Sequence, residues 1–109
     1  MTKTKERILK AIDDKLGKDV TVIEFDDSTV ADAFVIATGN SPSHTQAMAD
    51  EIEKVMAEQG QEPLGREGYR EANWILLDYG DTIAHLFLPD DRTYYDLEKL
   101  WQDQKVQKM

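Results

Sequence analysis

Apolar residues along the chain change rhythm several times, and each change predicts an element. Ile8, Leu9, Ile12 and Leu16 recur at helical spacing with Gly17 behind them, so residues 3–16 predict an amphipathic helix that stops at the glycine. The β-branched run VTVIEF (20–25) predicts a strand, and DDST (26–29) supplies turn chemistry after it. AFVIAT (33–38) is a continuous apolar run, the pattern of a strand covered on both faces in the middle of a sheet. Gly39, Asn40, Ser41, Pro42, Ser43 and His44 lead into a second helix, with Ser41 as N-cap and Pro42 at the first helical position. Thr45, Met48, Ile52, Val55 and Met56 form the buried stripe of that helix, and Gly60 ends it. Residues 61–72, QEPLGREGYREA, read as an irregular connection with room for a short edge strand.

The stretch NWILLDYGDTIAHLF (73–87) predicts a β-hairpin. Two apolar runs flank Asp78, Tyr79, Gly80 and Asp81, and Gly80 can take the positive φ of a tight turn. Alternation puts Trp74, Leu76 and Asp78 on one face with Ile83, His85 and Phe87, whether the turn is centred on residues 79–80 or 80–81. Ile75, Leu77 and Tyr79 share the other face with Thr82, Ala84, Leu86 and Leu88, a smoother aliphatic surface suited to packing under helices. Thr93-x-x-Asp96 matches a capping box, and Tyr94, Leu97, Leu100 and Trp101 mark the apolar side of a last helix. The order of elements predicts a single-domain α/β sandwich, a mixed sheet of four to five strands with flanking helices.

Charge narrows the partners. The 109 residues hold 13 basic and 22 acidic side chains, a net charge of −9, which disfavours unaided binding to a DNA or RNA backbone and favours a basic partner. With no cysteine, disulfides, thiolate metal sites and cysteine nucleophiles are excluded. The charged N-terminus has no apolar h-region and no long apolar run exists, so neither a secretory signal nor a membrane span is predicted, and a cytoplasmic protein is expected.

Three kinds of chemistry compete for the polar residues of the hairpin and the glycine loop. Trp and Phe with a few charges on one sheet face is a composition found at interface centres, and it is equally that of a core face with a hydrogen-bonded histidine. Asp78, Asp81 and His85 could be metal ligands, but aspartates beside a hairpin turn have local reasons to be there. The segment at 39–44 could offer helix N-terminal amides to an anion, yet it lacks the spacing of a P-loop or dinucleotide fingerprint. No serine sits in a G-x-S-x-G elbow and only two histidines are available for nucleophilic catalysis.

Four motifs in order, DAFVIATGNSPSHTQAMAD (32–50), EG (67–68), NWILLDYGDTIAHLF (73–87) and RTYYDLEKLW (92–101), resemble the Iojap family, the bacterial ribosomal silencing factors and their organellar relatives. The resemblance runs over residues 3–102, leaving 103–109 as a C-terminal tail. It implies a nucleotidyltransferase-like α/β fold without the enzyme's activity. Active enzymes of that kind carry Gly-Ser after the strand and an Asp-x-Asp pair for magnesium, whereas this chain has Gly39-Asn40 and no such pair on a following strand. The resemblance further implies a protein with no cofactor and no catalytic residue. Such a protein binds the large ribosomal subunit through its L-fourteen protein, blocks joining of the small subunit, and represses translation when nutrients are scarce. The expected partner-binding set is Trp74, Leu76 and Phe87 as apolar anchors and Asp78, Asp81 and His85 as polar pins, with Tyr79, Tyr94, Tyr95 and Asp96 as neighbours. A homodimer covering the same face when free, and a nucleotide-binding protein acting through residues 39–44, are the competing expectations.

Overall fold

The computed structural model describes residues 3–27 and 30–109, so part of the turn expected at 26–29 lies outside the described residues. The elements are α1 (Lys3–Asp14), β1 (Lys18–Glu24), β2 (Ala33–Thr38), α2 (Pro42–Glu58), β3 (Gly65–Glu67), β4 (Trp74–Asp78), β5 (Thr82–Phe87), α3 (Pro89–Tyr95), α4 (Leu97–Leu100) and β6 (Lys105–Lys108). One six-stranded sheet has the order β3-β4-β5-β2-β1-β6. The β2–β5 pair is parallel and the others are antiparallel.

The two faces differ because the strands alternate small and large side chains. Ala33, Val35 and Ala37 of β2 and Ala84 of β5 point to one side, where Ile8 and Ile12 of α1 and Met48, Ile52 and Met56 of α2 close over them as the main core. Small strand residues let both helices approach the sheet closely. Phe34, Ile36, Ile83 and Phe87 point the other way. Among the described residues no long helix lies on that side; Leu97 and Trp101 cover part of it from the short C-terminal turns.

Helix ends follow the sequence where the cap is local. Ser41 accepts the His44 N–H and starts α2, and Gly60 with φ 77° follows its end. The Gly17 N–H returns to the Ile12 carbonyl at 2.9 Å to close α1, with Leu16 left-handed at φ 60°.

Three expectations are corrected. The sheet has six strands, not four to five, because residues 105–108 of the expected tail pair with residues 21–24 of β1. A strand whose sole apolar residue is Val106, set between lysines, carries no period to read, and lysines are what an exposed edge favours. The last helix is two short ones. Pro89 starts α3 directly after β5, and Asp96 breaks the helix in the left-handed region at φ 46°. Asp96 then caps α4 by accepting the Lys99 N–H, while the Thr93 hydroxyl, expected as the cap, donates to the Pro89 carbonyl within α3. The break rotates the expected apolar face: Leu97 and Trp101 pack inward, whereas Tyr94 and Leu100 are 80% and 67% exposed.

Candidate functional site: an aromatic sheet face

The hairpin register is the one alternation predicts. Trp74 pairs with Phe87, Leu76 with His85 and Asp78 with Ile83, and the Tyr79 N–H reaches the Thr82 carbonyl at 3.0 Å, so residues 80–81 form the turn. Gly80 takes φ 89°, and its N–H donates to the Asp78 carboxylate at 2.8 Å, a local role that engages Asp78 in the turn. Among the described residues, no three potential ligand side chains gather as a metal group would need.

Trp74 is the centre of an aromatic stack. Its ring lies 4.9 Å from Phe87 and 4.5 Å from Tyr95, centroid to centroid, and Tyr95 in turn meets Tyr94 edge-on at 5.0 Å. Trp74 and Leu76 are half-buried, Tyr95 is 44% exposed, and Tyr94 projects into solvent. The face is therefore accessible through Trp74, Leu76, Tyr94, Tyr95 and Leu100.

Three of the expected contact residues are buried. Phe87 is fully buried, its ring packed against those of Trp74 and Tyr95. Tyr79 points to the helix side and belongs to the main core, where burial pushes its phenol up to about 12. His85 lies on the predicted face but is buried, its ring 4.5 Å from Phe34. Asp81 sits in the turn, where its carbonyl accepts from the Asp32 and Ala33 amides and joins the hairpin to the start of β2.

His85 accepts the Trp74 indole N–H on Nδ1 at 3.1 Å, which puts the neutral ring's own proton on Nε2, a buried atom with no protein partner. Burial pushes the imidazole down to about 4. Because the unfolded chain takes up this proton near the ordinary value and the folded chain does not, His85 contributes full stability above about pH 6.5, and that contribution falls as pH drops toward about 4. Urea titrations are expected to show a loss of about 2 kcal/mol from this group between about pH 7.5 and about pH 5. A His85→Gln protein should lack that slope; an identical slope in both proteins would assign the acid sensitivity elsewhere.

The segment that runs through the stack is acidic. Residues 78–98 carry six acids against one arginine, net −5 of the chain's −9, and Arg92 is itself paired with Glu98. Burial pushes the Glu98 carboxyl up, but the Arg92 guanidinium outweighs it and holds the group below its ordinary value. Sequence reading assigned Arg92 no task; two of its partners, Thr21 and Thr38, lie far back along the chain, and its one local signal is being the single cation between residues 78 and 98.

Three amides of the glycine loop are engaged within the protein. Asn40 N–H donates to His44 Nδ1 at 2.9 Å, leaving Nε2–H to donate to the Lys15 carbonyl at 2.7 Å, while the Gly39 N–H goes to Phe87 and the His44 N–H to the Ser41 hydroxyl. The connection at 61–72 is clamped to α2: Tyr69 donates to Asp50, Gln46 donates to the Tyr69 carbonyl, and the Arg66 guanidinium lies 4.0 Å over the Tyr69 ring. Its Gly68 presses against the backbone of Trp74. Among the described residues no helix is long and apolar enough to cross a membrane.

Residues 1–109 match the family described as "Ribosomal silencing factor during starvation". The chain is 46% identical over 96 residues to the ribosomal silencing factor RsfS of Halalkalibacterium halodurans, covering 87% of this chain and 82% of that one. It is 33% identical over 89 residues to the mouse protein named "Mitochondrial assembly of ribosomal large subunit protein 1", covering 78% of this chain and 39% of that one. A crystal structure of a Chromobacterium violaceum protein superposes with a TM-score of 0.88 at 31% identity, covering 97% of this chain and 89% of that one. The names of these relatives denote a regulatory or assembly factor, not an enzyme. The match of residues 1–109 to that family, with a relative at 46% identity and a shared α/β fold, places this chain in the ribosomal silencing factor family.

Proposed function

We propose that this protein binds the large ribosomal subunit through its L-fourteen protein, acts in the cytoplasm, and represses translation under nutrient limitation by occupying space that the small subunit needs. The observation that carries this reading is the half-open face around Trp74, Leu76 and Tyr95, which no long helix covers among the described residues and to which the net −5 segment 78–98 belongs in part. An aromatic centre with a charged rim suits a folded protein partner, and negative charge suits a basic one by speeding encounter and fixing orientation. Trp74, Leu76, Tyr94 and Tyr95 supply the apolar contact, Asp78, Asp81 and Asp96 the charged rim, and His85 and Phe87 the support beneath.

This mechanism is occupancy, with no bond made or broken, so repression follows affinity and concentration. When the protein is free, the same face is the one that a homodimer would cover, hiding it from the ribosome. A nucleotide-binding role has less behind it, since the Gly39, Asn40 and His44 amides of that loop are already engaged within the protein. Co-sedimentation with isolated subunits tests the reading: the protein is expected to pellet with large subunits and not small ones, more weakly as salt rises. Equal pelleting with both, or with neither at low salt, would overturn it.

A further inference from the structure

We infer that Arg92 is a positioning residue for the partner face, setting the Tyr94–Tyr95 pair beside Trp74; the inference rests on the proposed binding role of that face. Helix α3 has seven residues and none is buried, so neither length nor a core stripe of its own holds it in place. One side chain crosses from it to three other elements. The Arg92 guanidinium donates to the Thr38 hydroxyl of β2 at 2.8 Å, the Thr21 hydroxyl of β1 at 3.1 Å, and the Glu98 carboxylate of α4, the last from Nε at 3.0 Å and also from Nη2. Its side chain is 13% exposed, so these bonds form largely out of water, where a charge-assisted bond is stronger than a neutral one.

The arrangement fixes two things at once. Holding α3 to β1 and β2 sets where Tyr95 meets Trp74, three residues after Arg92. Holding Glu98 as well clamps both sides of the left-handed Asp96, and so sets the angle between α3 and α4 that turns Tyr94 outward. A lysine would keep the charge but not the fork that reaches three partners. Arg92 touches no partner in this scheme; it lowers the ordering cost that the tyrosines would otherwise incur on binding.

The test measures large-subunit affinity and amide hydrogen exchange for Arg92→Lys, with Trp74→Ala alongside. Arg92→Lys is expected to weaken binding about tenfold and to speed exchange in residues 89–100 while β2 and β5 stay protected. If Trp74→Ala weakens binding and Arg92→Lys does not, the Arg92 role is wrong and the face stands. If neither folded variant changes affinity, the face reading fails and takes this inference with it. Should Arg92→Lys not fold, Thr38→Val and Glu98→Ala each remove one tie; each is expected to weaken binding about threefold with faster exchange in 89–100, and unchanged affinity in both would overturn the inference.

Discussion

Replacing Trp74 by alanine is expected to lower affinity for the large ribosomal subunit about 30-fold or more, equivalent to about 2 kcal/mol. The indole is accessible and braced on three sides, by Phe87, Tyr95 and the His85 ring whose Nδ1 accepts its N–H. A braced aromatic loses little side-chain freedom on binding, which is why such residues dominate interface energies. The same substitution also loosens the stack, so affinity is measured below the variant's thermal transition with its far-ultraviolet circular dichroism matched to the parent. The main core, built on the opposite face of the sheet around Ile75, Leu77 and Leu86, does not include Trp74, so a folded variant is expected. A folded Trp74→Ala protein that binds as tightly as the parent would remove this residue from the contact.

Gly68→Ala is expected to cost about 3 kcal/mol or more of folding stability. Gly68 has φ 79°, and a Cβ there would lie 2.0 Å from the Trp74 carbonyl oxygen and 3.1 Å from its carbonyl carbon. Both are main-chain atoms at the start of β4, so no flexible side chain can yield, and the strand bearing Trp74 must shift. Gly60 is the matched control, with φ 77° and nothing within 4 Å of a built Cβ. Gly60→Ala incurs only the left-handed backbone cost of about 1–2 kcal/mol. The difference between the two variants in urea denaturation isolates the collision; equal losses would mean that the close approach at Gly68 carries no weight.

Much of the face was legible because alternation in a hairpin is strict. Trp74, Leu76 and His85 stand on one side whichever register the turn takes, and Ala84 and Leu86 on the other. Alternation gives side, however, and not depth. Phe87 and His85 share the side of Trp74 yet are buried, because Tyr95 lies over Phe87 while the Phe34 and Trp74 rings pack against His85. Tyr79 could have been set aside from the outset, since its parity puts it with Leu77 on the helix side. Helix α2 was legible down to its Ser41 cap, a local signal, whereas the Asp96 break was not: an aspartate three residues after a threonine fits a capping box as well as it fits a left-handed cap between two short helices. Strand β6 and two of the Arg92 ties join distant parts of the chain, with Arg92 reaching back 71 residues to Thr21. Pairings at that distance leave no trace in a local pattern.

The most direct test of the central claim is a subunit-joining assay, in which large subunits are incubated with increasing protein, small subunits are added, and the joined fraction is read by light scattering at low and high salt. Joining is expected to fall in proportion to the large subunits occupied, with no nucleotide required and with more protein needed at high salt. Large subunits saturated with the protein that still join small subunits at the full rate would contradict the account.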